Sequence, residues 1–180
     1  MSAAGGQIWV GDESTLREFP PLRAVWSRKG VQQIVHISGR NSRRVIHAAL
    51  NTQSGNLVRV LREHHRQDDA IAFIEALGKA APAGPKLLIW DNAPPHHPKR
   101  VLQAAKDAGV EIGFLPFRSP ELNPCEDLWR GLKGDVAANR SYASMEELGE
   151  RALAWMDALS PDDVLRRSGL LSSKFQWLFT

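Results

Sequence analysis

Short blocks of apolar and polar residues along the chain predict a mixed arrangement of strands and helices. Residues 7–11 are apolar and β-prone, and residues 31–38, 45–51 and 57–61 have the composition of further strands. The polar sequence TQSGN at residues 52–56 is typical of a turn, so the strands on either side of it are expected to pair as a hairpin. The chain therefore begins as an antiparallel meander.

Helix and strand patterns alternate after this meander. Apolar residues recur at helical spacing as far as about Lys79, and Asp68 or Asp69 is predicted to cap the start of this helix. The apolar run at residues 86–90 has the length of a strand that is buried on both faces. A proline and a glycine bound a second predicted helix over residues 98–108.

The remaining pattern completes the sheet and adds a helical tail. Residues 111–115 are another strand candidate, and a proline-rich loop follows over residues 116–124. Helices are predicted over residues 124–139 and 145–159, and a last short helix starts at Ser160. An antiparallel start followed by alternating strands and helices predicts an α/β fold, in which a mixed sheet carries helices on both faces.

The length and composition indicate one globular domain. The chain has 180 residues, of which 43% are hydrophobic and 24% charged, and it is long enough to bury a core. We expect residues 1–140 to form this core and residues 141–180 to form a C-terminal helical extension of the same domain. A single cysteine excludes an internal disulfide, and no apolar run approaches the roughly 20 residues of a membrane span. A cytoplasmic location is expected.

Positive charge is concentrated in one part of the chain. The net charge is only +3, but between Arg23 and Arg66 nine basic residues accompany a single acid, Glu63. Such an excess suggests an anionic partner, most simply nucleic acid. The alternative is a solvated face that acids elsewhere in the chain balance in space. The basic residues of this segment are Arg23, Arg28, Lys29, Arg40, Arg43, Arg44, Arg59, Arg62 and Arg66.

Two acids with 34 residues between them, Asp91 and Glu126, occupy positions that suit a shared site. Asp91 directly follows the apolar run, and ligand sites of open α/β sheets lie at the carboxyl ends of strands. A turn aspartate before the next helix is the alternative. Glu126 falls in the first turn of a predicted helix, where a capping arrangement with Asn123 also explains it.

Asp12 and Glu13 are expected at the end of the first strand. Adjacent strand residues point to opposite faces, so at most one of the two can join a site with Asp91 and Glu126. Converging carboxylates repel one another unless a cation lies between them. Mg²⁺ is the natural cation because it prefers oxygen ligands, and two such ions could activate an attacking oxygen and stabilise a leaving one.

The histidines do not have the sequence spacing of zinc ligands. His64 and His65 are adjacent, as are His96 and His97, whereas the ligands of a zinc site are separated by intervening residues. We interpret the pair at residues 64–65 as part of a polar surface.

Four motifs together resemble the catalytic domain of Tc/mariner-superfamily transposases, in the branch found in bacterial insertion sequences. The last motif is close to the family pattern LPPYSPxLNPIExxWxxLK, from which it departs at Phe117, Arg118 and Cys125. The likeness extends over residues 8–178. The motifs are DE at residues 12–13, W-x-x-x-G at 26–30, DNAPPHH at 91–97 and LPFRSPELNPCEDLWRGLK at 115–133.

This resemblance implies a ribonuclease-H-like fold and a DDE-type endonuclease that cleaves transposon-end DNA and transfers the strand into target DNA, with a family preference for TA-containing targets. It implies that Asp12, Asp91 and Glu126 are catalytic and hold two Mg²⁺ or Mn²⁺ ions. Asn92 and His96 match the family's DN-x-x-x-H motif and are expected to support the site or to contact DNA.

Basic residues outside the acidic set are candidates for DNA contact. Lys133 lies two helical turns after Glu126 and could touch a phosphate, although a solvent-exposed helix lysine is the alternative. Arg40, Arg43 and Arg44 are candidates from the basic segment.

The expected partners are DNA, at the transposon ends and in the target, and a second copy of the chain. Members of the family usually carry an N-terminal helix-turn-helix region that reads DNA ends. The chain begins almost at the first catalytic strand, which fits half of a product split across two reading frames, a truncated relic or an excised domain. In the first case, a separately encoded helix-turn-helix module is expected to supply this recognition. The alternative functions are a truncated, non-catalytic DNA-binding or regulatory remnant of a transposase and a different ribonuclease-H-like nuclease, such as a resolvase.

Overall fold

A five-stranded mixed sheet forms the centre of the protein. The computed structural model describes residues 6–37, 39–81 and 83–179. The strand order is β3-β2-β1-β4-β5; β2 pairs antiparallel with β1 and β3, whereas β4 pairs parallel with β1 and β5. The strands are β1 (Gln7–Arg17), β2 (Arg43–Asn51), β3 (Leu57–Arg62), β4 (Lys86–Trp90) and β5 (Val110–Phe114).

Helices cover both faces of this sheet, as the sequence predicts. Helices α1 and α2 pack on one face, and α3, α4 and α5 pack on the other. Short 3-10 helices occupy Pro94–His96, Pro120–Leu122 and Ser173–Leu178. The α-helices are α1 (Gln67–Ala80), α2 (Lys99–Asp107), α3 (Cys125–Leu132), α4 (Met145–Asp157) and α5 (Pro161–Arg167).

The alternation of side chains along β1 divides the core in two. Trp9 packs with Phe73 and Trp90 on the face of α1 and α2. Val10 and Leu16 pack on the opposite face against α3, α4 and α5. The C-terminal helices therefore share one apolar cluster with the sheet, because their buried side chains meet the same face of β1 and β2. No helix in the described part of the chain is both long and apolar enough to cross a bilayer.

The predicted strand at residues 31–38 is wrong. Residues 31–37 form no strand and are largely exposed, while Ser38 lies outside the described residues. The predicted end of the first strand is also wrong, because β1 continues to Arg17. Pairing with β2 extends from Trp9 to Arg17, so Asp12 and Glu13 lie inside the strand rather than at its end.

Two helix boundaries also differ from their predictions. Neither Asp68 nor Asp69 is the cap of α1, because Arg66 occupies that position and Oδ2 of Asp69 accepts its backbone N–H at 3.1 Å. The helix predicted to reach residue 139 ends as α3 at Leu132 and continues as one π-helical turn, Lys133–Ala137.

A matched pair of glycine substitutions tests the packing of α5 against the β2–β3 turn. Gly55 and Gly109 both have a positive φ, of 73° and 67°. A Cβ at Gly55 would collide with the carbonyl of Pro161, whereas a Cβ at Gly109 would have no heavy atom of the described residues within 4 Å apart from its own neighbours in the chain. We expect Gly109→Ala to lower the free energy of unfolding by about 1–2 kcal/mol from backbone strain alone.

Gly55→Ala should lower the free energy of unfolding by about 1–3 kcal/mol more than Gly109→Ala, because its new methyl group has no room beside the Pro161 carbonyl. Urea unfolding of both variants measures the difference. Equal losses would show that α5 does not lie against this turn.

Candidate active site

Three carboxylates from separate elements line one cavity at the edge of the sheet. Asp12 comes from β1, Asp91 directly follows β4, and Glu126 lies in the first turn of α3. Because β1 and β4 pair in parallel as far as Val10 and Ile89, the end of β4 places Asp91 beside Asp12, from which β1 continues. The cavity has a volume of about 240 Å³. Its wall is completed by Asn92, Ala93, Leu115, Pro116, Phe117, Arg118, Ser119, Pro120 and Asn123.

Asp12 is the most buried of the three acids, with 8% of its surface exposed. The indole Nε1–H of Trp129 donates to Oδ2 of Asp12 at 2.8 Å and so fixes the carboxylate. Burial raises the pKa of Asp12 to about 8, and the negative charges of Glu13 and Glu126 add to this rise, while the Trp129 hydrogen bond opposes it. Without a nearby cation, the Asp12 carboxyl therefore holds its proton at neutral pH.

Glu126 reaches the cavity because the start of α3 is tied to β1. The predicted cap position of Asn123 is wrong by one residue, because Pro124 is the N-cap of α3. The side chain of Asn123 still accepts the backbone N–H of Cys125 at 3.0 Å and donates to the Gly11 carbonyl at 3.2 Å. The Cys125 thiol donates to the Val10 carbonyl at 3.4 Å. These contacts position the first turn of α3 beside Asp12.

Asp91 combines the two roles that its sequence position suggested. Its Oδ1 accepts the backbone N–H of Ala93 at 3.2 Å, which is a turn contact, and lies 2.8 Å from Nδ1 of His96. The side chain of Asp91 remains 45% exposed and lines the cavity. One oxygen is thus held by the protein while the group still faces the cavity.

Asn92 and His96 lie on different sides of Asp91. Asn92 lines the cavity and donates its side-chain amide to the carbonyl of Leu115. His96 is fully buried behind Asp91, where its ring stacks on Trp90 with 3.5 Å between ring centroids. Asn92 can therefore meet a ligand in the cavity, whereas His96 acts on the cavity only through Asp91.

The donor set of the cavity fits hard divalent cations. All three acids offer oxygen, the ligand that Mg²⁺ and Mn²⁺ prefer. Within the described ranges, no salt bridge neutralises Asp12 or Glu126. A divalent cation among these carboxylates would remove the repulsion that raises the pKa of Asp12.

Glu13 points to the opposite face of the sheet and lies in a cluster of histidines. Its Oε1 accepts the Trp90 indole N–H at 3.1 Å and lies 3.1 Å from Nδ1 of His47 and 3.2 Å from Nε2 of His96. The predicted alternation of Asp12 and Glu13 is confirmed. Interpreting residues 64–65 as a polar surface is wrong for His65, whose ring is half-buried and 3.6 Å from Oε2 of Glu13.

Ionisation within this cluster follows from burial and hydrogen bonding. Burial would raise the pKa of Glu13, but hydrogen bonds with His47 and His96 lower it to about 2. Burial would lower the pKa of His96, but hydrogen bonds with Asp91 and Glu13 raise it to about 9. Burial also lowers the pKa of His65. In the absence of a metal, His96 is therefore a cation held between two carboxylates.

Acids elsewhere in the chain neutralise part of the basic segment. Arg40 pairs with Glu18 at 2.6 Å, and Arg44 lies 3.0 Å from Glu146. Arg59 and Arg62 also form ion pairs, with Asp157 and Asp69 respectively. The alternative interpretation of this segment, a face balanced in space, therefore accounts for part of its charge.

Two other DNA-contact candidates lie outside the acidic cavity. Arg43 is exposed and has no acidic partner in the part of the chain that the structure describes. Lys133 lies at the π-helical turn and lines a separate groove with Thr15, Arg17 and Phe19. Neither residue lines the cavity of the three acids.

Comparison with known proteins identifies the class of this fold and site. The model of a family described as DDE superfamily endonuclease matches residues 7–149. An "Insertion element IS630 uncharacterized 39 kDa protein" of Shigella sonnei is 26% identical over 157 residues, which are 86% of this chain and 46% of that protein. The chain thus spans about half the length of this curated relative.

Solved structures of the Mos1 mariner transposase have the same fold. The paired-end complex with the left transposon end is 19% identical, with a TM-score of 0.71, over 94% of this chain and 53% of that one. The isolated Mos1 catalytic domain is 15% identical, with a TM-score of 0.63, over 94% of this chain and 78% of that one.

The mixed sheet, helices on both faces and acidic cavity define a ribonuclease-H-like fold of the mariner catalytic-domain type. The predicted fold class is confirmed. The chain belongs to the DDE superfamily endonuclease family, and the predicted resemblance to Tc/mariner-type transposase catalytic domains is confirmed.

The raised pKa of Asp12 predicts that Mg²⁺ binding depends on pH. A bound cation must displace the Asp12 proton, so affinity should rise by up to about tenfold per pH unit from about pH 6 and level off near the pKa of about 8. Calorimetric titration at several pH values measures this slope. Asp12→Asn should bind Mg²⁺ weakly at every pH, and a wild-type affinity independent of pH in this range would contradict the expectation.

Proposed function

We propose that the chain is a transposase catalytic domain that cleaves transposon-end DNA and joins the cut strand to target DNA. The observation that supports this most strongly is the convergence of Asp12, Asp91 and Glu126 on one cavity, without a neutralising salt bridge at Asp12 or Glu126 among the described residues. In this proposal the three carboxylates bind two Mg²⁺ or Mn²⁺ ions. When bound, the ions would supply activation of the attacking oxygen and stabilisation of the leaving one.

The protein's own side chains would fix the geometry of this reaction. Trp129 holds one oxygen of Asp12, and His96 with the Ala93 N–H holds one oxygen of Asp91. Glu126 is exposed at the start of α3 and faces the open side of the cavity. This arrangement leaves one side of the carboxylate group open to a phosphodiester.

The proposed reaction has two steps of the same chemical type. In the first, the oxygen of water attacks a phosphodiester at the transposon end. A new P–O bond forms, the bond from phosphorus to the 3′ oxygen breaks, and the proton lost by the water is balanced by the one that the leaving oxygen takes up as a 3′-OH, which leaves a 5′-phosphate on the other fragment. In the second, the oxygen of this 3′-OH loses its proton and attacks a phosphodiester of the target, whose own 3′ oxygen leaves as a 3′-OH. Each step exchanges one P–O bond for another, so one cavity can serve both.

DNA contacts would come from residues around the cavity. Asn92 lies in the cavity wall, and Arg43 is exposed, so both can meet DNA without losing an existing ion pair. We infer that Lys133 touches a phosphate at the groove beside the π-helical turn. Arg40 and Arg44 would have to share their charges with Glu18 and Glu146, so we assign them a supporting role.

The proposed partners and location follow from this activity. A helix-turn-helix module would recognise the transposon ends, since such modules read DNA through the major groove. Both DNA substrates of a bacterial insertion sequence lie in the cytoplasm, where we place the protein.

A nicking assay tests the proposed activity. The substrate is a supercoiled plasmid carrying the DNA that borders the coding region, incubated with the complete gene product and Mg²⁺ or Mn²⁺. Asp91→Asn and Glu126→Gln should each reduce nicking by about 100-fold or more, because each removes a carboxylate that would hold the metal ions at the reacting phosphate. Glu121→Gln is the matched control, since this exposed acid in the 3-10 helix before α3 does not line the cavity.

Equal nicking by wild type and Asp91→Asn would contradict the proposal. Salt-sensitive DNA binding without metal-dependent nicking by the wild type would instead indicate the non-catalytic remnant. Cleavage of branched junctions but not of transposon ends would indicate a resolvase-like nuclease.

We also infer that the protein forms a homodimer through the segment that joins β1 to β2. Apolar side chains of this segment are unusually exposed: Trp26 is fully exposed, and Ile34 and Leu22 are 74% and 67% exposed. Exposed apolar groups gathered in one segment mark an interaction surface in soluble proteins. A second copy of the chain would cover them.

The double variant Trp26→Ser with Ile34→Ser tests this dimer. Light scattering should show a dimer for the wild type and a monomer for the variant, because the substitutions remove the apolar area that the second copy would bury. Leu102→Ser, at an exposed apolar position on α2, is the control and should remain dimeric. A monomeric wild type at micromolar concentration would contradict the inference.

A further inference from the structure

A second group of metal-ligating side chains lies on the opposite face of β1 from the acidic cavity. Glu13, His65 and His96 bring one ligand atom each within 4.8 Å of the other two. Nε2 of His65 lies 3.1 Å from Nε2 of His96, and Oε2 of Glu13 lies 3.6 Å from Nε2 of His65. We propose that these three residues bind one Zn²⁺ ion, separate from the ions of the acidic cavity.

The distances from each histidine nitrogen to the other and to the nearest Glu13 oxygen are close to the edge length of a zinc tetrahedron. Zinc–nitrogen and zinc–oxygen bonds of about 2.0–2.1 Å in tetrahedral geometry place ligand atoms roughly 3.3 Å apart. The two imidazole nitrogens lie 3.1 Å apart, Nε2 of His65 lies 3.6 Å from Oε2 of Glu13, and Nε2 of His96 lies 3.2 Å from Oε1, the other oxygen of the same carboxylate. One Glu13 oxygen and the two nitrogens lie within 4.8 Å of one another and form a triangle that a zinc ion can fill without any change of backbone.

The contacts around the triangle hold its members as zinc ligands require. Nδ1 of His96 lies 2.8 Å from Oδ1 of Asp91 and 3.1 Å from the Asp91 carbonyl. A proton on Nδ1 satisfies these acceptors and leaves Nε2 free to bind metal, as in carboxylate–histidine–zinc arrangements. The Trp90 indole and the His47 ring hold Oε1 of Glu13, so Oε2 is the oxygen turned towards His65.

The two sites differ in the metal that they favour. Two imidazoles and one carboxylate favour zinc or a similar transition metal, whereas the all-oxygen set of the acidic cavity favours Mg²⁺ or Mn²⁺. The side chain of His65 is 30% exposed, which provides a route from solvent. Water would complete the fourth position.

We assign this zinc ion a positioning role. It would join the segment after β3, which carries His65, to the strand β1 and to the 3-10 helix Pro94–His96. Because His96 touches Asp91 directly, a metal on Nε2 fixes the ring that orients the Asp91 carboxylate. The alternative occupant is a proton on His96, which would hold Asp91 and Glu13 in a metal-free ion-pair network.

Cobalt titration distinguishes metal from proton. The chain, freed of metal with a chelator and returned to millimolar Mg²⁺, is titrated with Co²⁺, whose four-coordinate complexes have intense visible absorption. We expect these bands to saturate at roughly one equivalent, because the proposed site holds a single ion with three protein ligands. Zn²⁺ should then abolish the bands by displacing Co²⁺.

Adjacent histidines provide a matched pair of variants. His65→Asn removes a proposed ligand and should weaken Co²⁺ binding by at least about 100-fold, the upper range for loss of a ligand's supporting partner. His64→Asn should bind as the wild type does, since the His64 side chain is not a member of the triangle. Circular dichroism of both metal-free variants verifies that they are folded.

Thermal melting provides a second measurement. Zn²⁺ should raise the melting temperature of the wild type and of His64→Asn but not that of His65→Asn, because only a native site links zinc to folding. Absence of visible bands in the wild type, or equal binding by His65→Asn, would establish the proton-only network. Loss of Co²⁺ binding in Glu126→Gln would assign the ion to the acidic cavity and also contradict the proposal.

Discussion

Consecutive residues of a β-strand point to opposite faces of the sheet, and in β1 this alternation separates the adjacent acids Asp12 and Glu13. Asp12 enters the cavity that Asp91 and Glu126 also line, while Glu13 enters the histidine cluster on the other face. Each face provides a hydrogen-bond donor and a distinct environment for its acid. The first has the Trp129 indole and an open cavity, and the second has buried imidazoles and the Trp90 indole.

The position of the acidic cavity depends on how α3 is attached to this strand. Asn123, Cys125 and Trp129 contact the Gly11 carbonyl, the Val10 carbonyl and the Asp12 carboxylate in turn. These bonds follow three consecutive residues of β1. A small shift of α3 would therefore break several buried hydrogen bonds at once, each costing about 1–3 kcal/mol if its partner is left unsatisfied. The separation of Asp12 and Glu126 is consequently set by these three hydrogen bonds between the α3 region and β1.

The sequence predicts features that arise from local pattern and misses those that arise from distant pairing. The strands β2, β3 and β4 are predicted from their local composition to within two residues of their observed bounds. The polar second half of β1 is a strand only because β2 pairs along it, which no local signal reveals. Residues 31–37 have strand-like composition but no partner strand, so they remain exposed.

The same limit applies to the site residues. The motifs predict that Asp12, Asp91 and Glu126 belong together, and the structure places all three on one cavity. His65 and His96 are 31 positions apart and meet through the fold, so adjacency in sequence gave the wrong environment for His65. Arg44 likewise meets Glu146 from 102 positions away. Because such distant acids pair with arginines of the basic segment, counting charges along the sequence overestimates the positive charge that is left unpaired at the surface.

A crystal structure of the protein soaked with Mn²⁺, measured at a wavelength where manganese scatters anomalously, shows whether Asp12, Asp91 and Glu126 form one site for divalent ions. We expect anomalous peaks between the three carboxylates, with oxygen atoms of all three within about 2.2 Å of manganese, slightly beyond the Mg²⁺ bond length. Manganese bound only at the histidine face, or a cavity in which Glu126 stays out of ligand range, would contradict this expectation.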